Sequence, residues 1–112
     1  MDESTAIEAL GALAQPTRMA AFRFLVAALP EGVPAGDIAA ALVVPHNTLS
    51  SHLAILARAG LVRSVRAGRT VSYRADLDGF QALVAFMTED CCQGRPDRCR
   101  LPGGGNEGGC LA

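Results

Sequence analysis

The chain of 112 residues contains no tryptophan, no lysine and few aromatic residues (4%). Because aromatic side chains are scarce, the core must be built mainly from Ala, Leu and Val. Because lysine is absent, arginine supplies all ten of the Lys and Arg charges. All four cysteines lie between Cys91 and Cys110, so residues 1–90 contain none. Cysteines confined to one end indicate a site rather than a disulfide framework, and they fit a reducing compartment.

The sequence also lacks a long, purely apolar run. Its longest uncharged stretch, residues 38–57, is twenty residues long but contains Pro45 and several polar side chains that a bilayer core would reject. The first five residues contain two acids and no base, whereas a secretory leader would begin with basic residues. We therefore expect a cytoplasmic protein that makes no membrane contact.

Acidic residues are missing from the middle third of the chain. Residues 41–75 carry five arginines and no Asp or Glu, whereas residues 1–40 and 76–112 each have a net charge of −3. The five arginines are Arg58, Arg63, Arg66, Arg69 and Arg74. An isolated basic block in a nearly neutral chain indicates a polyanion partner such as DNA.

Apolar residues recur at helical spacing in five segments, and at a spacing of two in the stretch before the last of them. The predicted helices are Ser4–Leu13, Thr17–Leu29, Ala35–Leu42, His46–Ala59 and Asp78–Cys92. Residues 29–34 contain two prolines and a glycine and are predicted to be a loop. Val62–Val65 and Val71–Tyr73 are predicted to form a β-hairpin with Gly68 at its tip.

This order of elements predicts a mainly α-helical fold with a β-hairpin wing, a winged helix-turn-helix. We expect residues 1–92 to form the DNA-binding and dimerisation domain. Residues 93–112 are rich in glycine and are predicted to be a flexible tail that carries cysteine.

The helix that begins at His46 has the pattern of a recognition helix. Short polar side chains near its start are suited to reading base edges in the major groove, while leucines on its other side would anchor it. The candidate DNA-binding residues on this helix are His46, Asn47, Thr48, Ser50, Ser51 and His52. Arg66 and Arg69 flank the hairpin tip and would reach phosphates or a minor groove. The alternative is that such polar residues are only helix caps and solvated surface.

Three stretches resemble the ArsR/SmtB family of metal-sensing repressors. They are Leu13–Arg18, Ser50–Val62 (SSHLAILARAGLV), and Gly68-Arg69 with Tyr73, so the resemblance covers roughly residues 5–90. It implies a homodimer, paired through its first and last helices, that binds an inverted repeat of operator DNA. It also implies that binding of a metal or metalloid releases the DNA.

The apolar residues of the two terminal helices agree with a dimer. Ile7, Leu10, Leu83, Phe86 and Met87 form stripes that a domain of this size would struggle to cover alone. The alternative is that both stripes close the core of one monomer.

The family's usual inducer sites are incomplete in this chain. Pro34–Ile38 stands where a Cys-Val-Cys-Asp-Leu type box is common, and the last helix offers Asp76 and Asp78 but no histidine. A metal-sensing role would therefore fall to the thiols at the C-terminal end.

Cys91, Cys92 and Cys99 form a candidate three-thiolate site. As(III), and Sb(III) as a second candidate, accept three sulfur ligands, whereas zinc usually takes four. Cys110 could be the fourth ligand, but five glycines separate it from Cys99, so ordering that segment would cost considerable entropy. The sequence thus predicts a non-enzymatic repressor that As(III) releases from its operator.

Three other readings of the thiols remain open. A Cys92–Cys99 disulfide would make the protein a thiol-redox DNA-binding regulator without a metalloid. Cys92 and Arg98 have the spacing of a thiol-phosphatase loop, but that chemistry needs a strand–loop–helix that the sequence does not predict. The cysteines could also be incidental.

Overall fold

The computed structural model describes residues 1–89 as helices around a small antiparallel sheet. The helices are α1 (Glu3–Leu13), α2 (Pro16–Ala28), α3 (Ala35–Leu42), α4 (His46–Arg58) and α5 (Leu77–Thr88), and the strands are β1 (Val33–Pro34), β2 (Val62–Ala67) and β3 (Thr70–Ala75). The predicted winged helix-turn-helix is confirmed. The last helix, expected to reach Cys92, extends to Thr88, and residues 90–112 lie outside the described residues.

Side chains and prolines define where the helices begin. The Asp2 carboxylate accepts a hydrogen bond from the Thr5 backbone N–H (2.8 Å), and hydrogen bonding to Thr5 lowers the pKa of Asp2. The side chain of Gln15 caps α2 in the same way, and Pro16 occupies its first turn. Gly60 follows α4 with a φ of 81°, the left-handed conformation that ends a helix.

The three strands lie in the order β1-β3-β2. β2 and β3 pair from Val62 opposite Ala75 to Ala67 opposite Thr70, which leaves a two-residue turn with Gly68 at a φ of 64°. The expectation that residues 29–34 lack regular structure is wrong at its end, because Val33 and Pro34 pair with β3. Proline fits there because β1 is an edge strand, where a missing N–H leaves no ladder bond broken.

The core is formed by buried side chains from all five helices, together with Leu61 and with Val62 and Ala75 from the sheet. The largest fully buried side chains are Leu25, Ile38, Leu49, Leu53, Leu56, Leu61 and Leu83. On α4, the leucines that were expected to anchor the helix, Leu49, Leu53 and Leu56, are fully buried. On α3, Ile38 and Ala39 are buried, whereas Ala41 is exposed.

The start of α5 fits closely against the end of α4. Asp76 caps α5 by accepting a hydrogen bond from the Gly79 N–H (3.1 Å), and its own N–H donates to the Leu61 carbonyl (2.9 Å). A Cβ at Gly79 would overlap the Gly60 carbonyl oxygen. Glycine at position 79 therefore allows the last helix to touch the segment that leaves α4.

No single helix within residues 1–89 is long and apolar enough to cross a membrane. Taken together, α3 and α4 have the length and apolar composition of a membrane span, but the two helices meet at an angle of 111°.

Candidate nucleic-acid interface

Helices α3 and α4 form a helix-turn-helix. The 111° between them falls in the range of about 90–120° that is typical of this motif. The turn runs through Val43, Val44 and Pro45, and Val43 adopts a left-handed conformation with a φ of 56°. A second helix placed in this way presents its first turns outward, as a recognition helix must.

The predicted DNA-binding residues of α4 lie at its surface. His46, Asn47, Thr48 and Ser51 are exposed, and Ser50 is half-buried. No side chain caps the start of α4, although the Asn47 side-chain oxygen accepts a hydrogen bond from the Thr48 N–H (3.0 Å). Uncapped backbone N–H groups together with exposed hydroxyls and amides are hydrogen-bond donors suited to phosphates and base edges.

The recognition helix and the wing, together with residues 34–36, line one open cleft of about 430 Å³. His46 and Ser50 contribute to it from α4, and Arg69 and Tyr73 contribute from the hairpin. Arg66 is also exposed, near the end of β2. The fold thus brings the polar start of α4 next to an arginine of the wing, although the two are about twenty residues apart in the sequence.

His52 is placed differently from the other predicted residues. It is half-buried and does not line the cleft, and its Nδ1 lies 3.2 Å from the Arg18 guanidinium. Arg18 is not among the residues predicted from the sequence to contact DNA. The available signal was its place in Leu13–Arg18, one of the stretches that carry the family resemblance.

Arg63, which belongs to the same basic block, acts as a salt-bridge partner. Its Nε donates to the Asp76 carboxylate at 3.2 Å, so it ties the base of the wing to the start of α5. Arg63 is therefore engaged within the fold and is not among the candidate DNA-binding residues.

The terminal helices pack against each other and leave apolar side chains uncovered. Ile7 is 60% exposed, Leu10 41% and Met87 55%, and Phe86 is half-buried. The assignment of Leu83 to the uncovered stripe is wrong, because Leu83 is only 2% exposed and belongs to the monomer core. The remaining residues form an apolar surface on α1 and α5.

The candidate inducer ligands Cys91, Cys92 and Cys99, as well as Cys110, lie outside the described residues. Within residues 1–89, no group of three or more His, Cys, Asp or Glu side chains could hold a metal ion.

Comparison with known proteins agrees with this geometry. Residues 13–65 match the model of a helix-turn-helix domain. A solved structure described as a possible transcriptional regulator for arsenical resistance superimposes with a TM-score of 0.64 at 29% identity, over 73% of this chain and 82% of that one. An ArsR-like transcriptional regulator from Rhodococcus sp. RHA1 gives a TM-score of 0.68 at 26% identity, over 77% and 78%.

The chain has the winged helix-turn-helix fold of ArsR-like transcriptional regulators. The same fold occurs in a homodimeric winged helix-turn-helix DNA-binding domain from Mycobacterium bovis, with a TM-score of 0.63 at 24% identity over 75% of this chain and 76% of that one. No curated protein is a significant sequence match to the chain.

Proposed function

We propose that the protein is a cytoplasmic, homodimeric transcriptional repressor of the ArsR/SmtB type that binds operator DNA and releases it when As(III) binds. The observation that carries the DNA-binding part is the cleft in which the exposed polar start of α4 meets the wing arginine Arg69. A phosphate backbone that entered this cleft would meet donors from both elements.

The DNA-binding step assigns α4 to the major groove. Asn47, Thr48 and Ser51 are exposed and are the proposed base-reading residues. His46, Ser50 and Arg69 share the cleft and would hold the backbone on one side of the groove. Arg66 would contact a further phosphate from β2.

The dimer follows from the apolar surface on α1 and α5. Ile7, Leu10 and Met87 are exposed there, and a second copy of the chain would cover them. Two-fold symmetry would present two α4 helices about 34 Å apart, one turn of DNA, which requires an inverted repeat. The homodimeric state of the M. bovis domain with the same fold supports this arrangement.

The inducer assignment rests on the chemistry of three thiols. Cys91, Cys92 and Cys99 supply the soft three-sulfur set that As(III) accepts, and Sb(III) is expected to bind the same set. The similar structure described as a possible regulator for arsenical resistance supports this choice. Because the thiols must lose protons to bind, the apparent affinity for As(III) should rise with pH.

The site is close in sequence to the proposed dimer surface. α5 ends at Thr88, three residues before Cys91, and carries the exposed Met87. Ligand capture immediately after α5 would bias how this helix packs in the dimer, and so the spacing of the two α4 helices.

The test begins by selecting duplexes that the wild-type protein retains from a random pool. The complex with the selected duplex is then titrated in parallel with arsenite, antimonite, zinc and peroxide. We expect release by arsenite, loss of that response in Cys91→Ser, Cys92→Ser and Cys99→Ser without loss of DNA affinity, and little effect of the matched control Cys110→Ser.

The other outcomes separate the alternatives. Release by peroxide alone would replace the metalloid sensor with a thiol-redox regulator. Turnover of a phosphate ester would indicate an enzyme. Failure to retain any duplex would refute the DNA-binding function itself.

A further inference from the structure

One arginine connects three helices in the described part of the chain. The Arg18 side chain lies on α2; its Nε donates to the Ala12 carbonyl at 2.6 Å, and Nη2 reaches the Gly11 carbonyl at 3.4 Å. Its Nη1 lies 3.2 Å from Nδ1 of His52 on α4. A single guanidinium thus contacts the end of the proposed dimer helix α1 and the recognition helix.

The end of α1 explains why a cation belongs there. The last carbonyls of a helix have no donor within the helix, and they form the negative end of its dipole. Arg18 supplies an N–H group to the Ala12 carbonyl and a second, longer one to the Gly11 carbonyl, which also accepts from the Ala14 backbone N–H at 3.2 Å. The backbone N–H of Arg18 itself donates to the Gln15 side chain at 2.8 Å. The carbonyls at the end of α1 therefore hold the guanidinium in a defined position beside α4.

The contact defines the hydrogen-bonding state of His52. A guanidinium has only donors, so Nδ1 of His52 must accept, and the neutral ring then carries its proton on Nε2. Nε2 makes no hydrogen bond within residues 1–89. Since no side-chain nitrogen or oxygen in the described part is both buried and without a partner, Nε2 is accessible there. Nε2–H is therefore a donor at the surface of the described part.

The Arg18–His52 hydrogen bond is directional, unlike the apolar packing of α4. In the part of the chain that the structure describes, Arg18–His52 is the one polar side-chain contact between α4 and another helix or strand. The buried leucines hold α4 in the core, but apolar contacts are non-directional. A bond at the side of the helix restricts its rotation as well.

We propose that Arg18 is a positioning residue for DNA binding. It ties the end of α1 to α4 and holds His52 as an Nε2–H donor to a DNA phosphate. This inference rests on the proposed DNA-binding function and adds the residue that relates the dimer helix to the recognition helix.

The first measurement needs no DNA, and its deciding readout is taken on the wild-type protein. Imidazole nitrogen chemical shifts of the wild-type protein at mildly alkaline pH report which ring nitrogen carries the proton, and a His46→Gln variant assigns the two histidines. We expect His52 to be protonated on Nε2 alone, with relaxation towards a mixture of tautomers in Arg18→Met. A wild-type His52 that carries its proton on Nδ1 would overturn the proposal.

The second measurement is affinity for a duplex that the wild-type protein selects from a random pool. We expect His52→Ala to weaken binding about tenfold, because it loses a hydrogen bond to a charged phosphate. Arg18→Met should weaken it by a similar factor, because His52 is then no longer held with Nε2–H towards that phosphate. The double variant should bind no more weakly than either single variant, because both changes remove the same contact. His52→Gln should retain most of the affinity, because an amide can accept from Arg18 and still donate.

Arg23→Met is the matched control, since Arg23 is an exposed arginine of the same helix and makes no hydrogen bond within the described residues. An equal loss in Arg23→Met would show that Arg18 acts only through its charge. Additive losses in the double variant would show that Arg18 acts independently of His52. Either outcome would refute this inference and leave the proposed DNA-binding function standing. If the wild-type protein selects no duplex, the proposed function and this inference fail together.

Discussion

Val43, at the turn of the helix-turn-helix, is a position where a substitution should stabilise the fold. It is the C-cap of α3 with φ 56° and ψ 52°, in the left-handed region. A left-handed conformation costs an L-residue roughly 1–2 kcal/mol, and a β-branched side chain is especially unfavourable there. Because Val43 is 87% exposed, replacing it loses almost no buried apolar surface.

The expected gain depends on the replacement. Glycine removes the steric cost but adds roughly 0.5–1 kcal/mol of unfolded-state entropy, so Val43→Gly should gain little. Asparagine tolerates the left-handed region without that entropy, so Val43→Asn should raise the free energy of unfolding by about 1 kcal/mol. For a domain of this size, that corresponds to a midpoint roughly 4–8 °C higher in thermal unfolding.

The assay is thermal and denaturant unfolding at one fixed protein concentration, since a dimer's stability depends on concentration. Val65→Asn is the matched control: Val65 is also exposed but lies in β2 without a positive φ, so the same change should not stabilise there. A Val43→Asn protein no more stable than wild type would refute the strain argument.

Three further outcomes follow from the described residues. Arg66→Ala should reduce the slope of log affinity against log salt by about one, and an unchanged slope would remove Arg66 from the phosphate contacts. Ile7→Glu should shift sedimentation from dimer to monomer, whereas Glu8→Gln, at a neighbouring exposed position, should not. Gly79→Ala should lower the unfolding midpoint, because the added Cβ would overlap the backbone at Gly60. Gly11→Ala has open space around its Cβ and should instead gain up to about 1 kcal/mol from helix propensity. Equal effects of the two substitutions would contradict the close packing of α5.

Local patterns were enough to predict most elements of the fold. The helical period, Pro16 and Pro45 at helix starts and Gly60 at a helix end are encoded by residues close together in the chain. The short strand β1 was missed because only pairing with β3, some forty residues later, makes Val33–Pro34 a strand. Local propensity carries no information about such a partner.

For the candidate site, the sequence determined which residue types were available, and the tertiary structure decided which of them meet. The polar start of α4 and the arginines of the hairpin could be found from spacing and charge, but their shared cleft depends on how the hairpin returns beside the helix. His52 was grouped with its neighbours on α4, and only the packing of α1 and α2 against that helix places it on Arg18.

The two terminal helices show the same division. Their apolar residues were evident from the sequence, but Leu83 faces the monomer core while Ile7 and Met87 remain exposed. Periodicity shows that a helix has an apolar face, whereas the neighbours that cover it are set by packing across the whole fold.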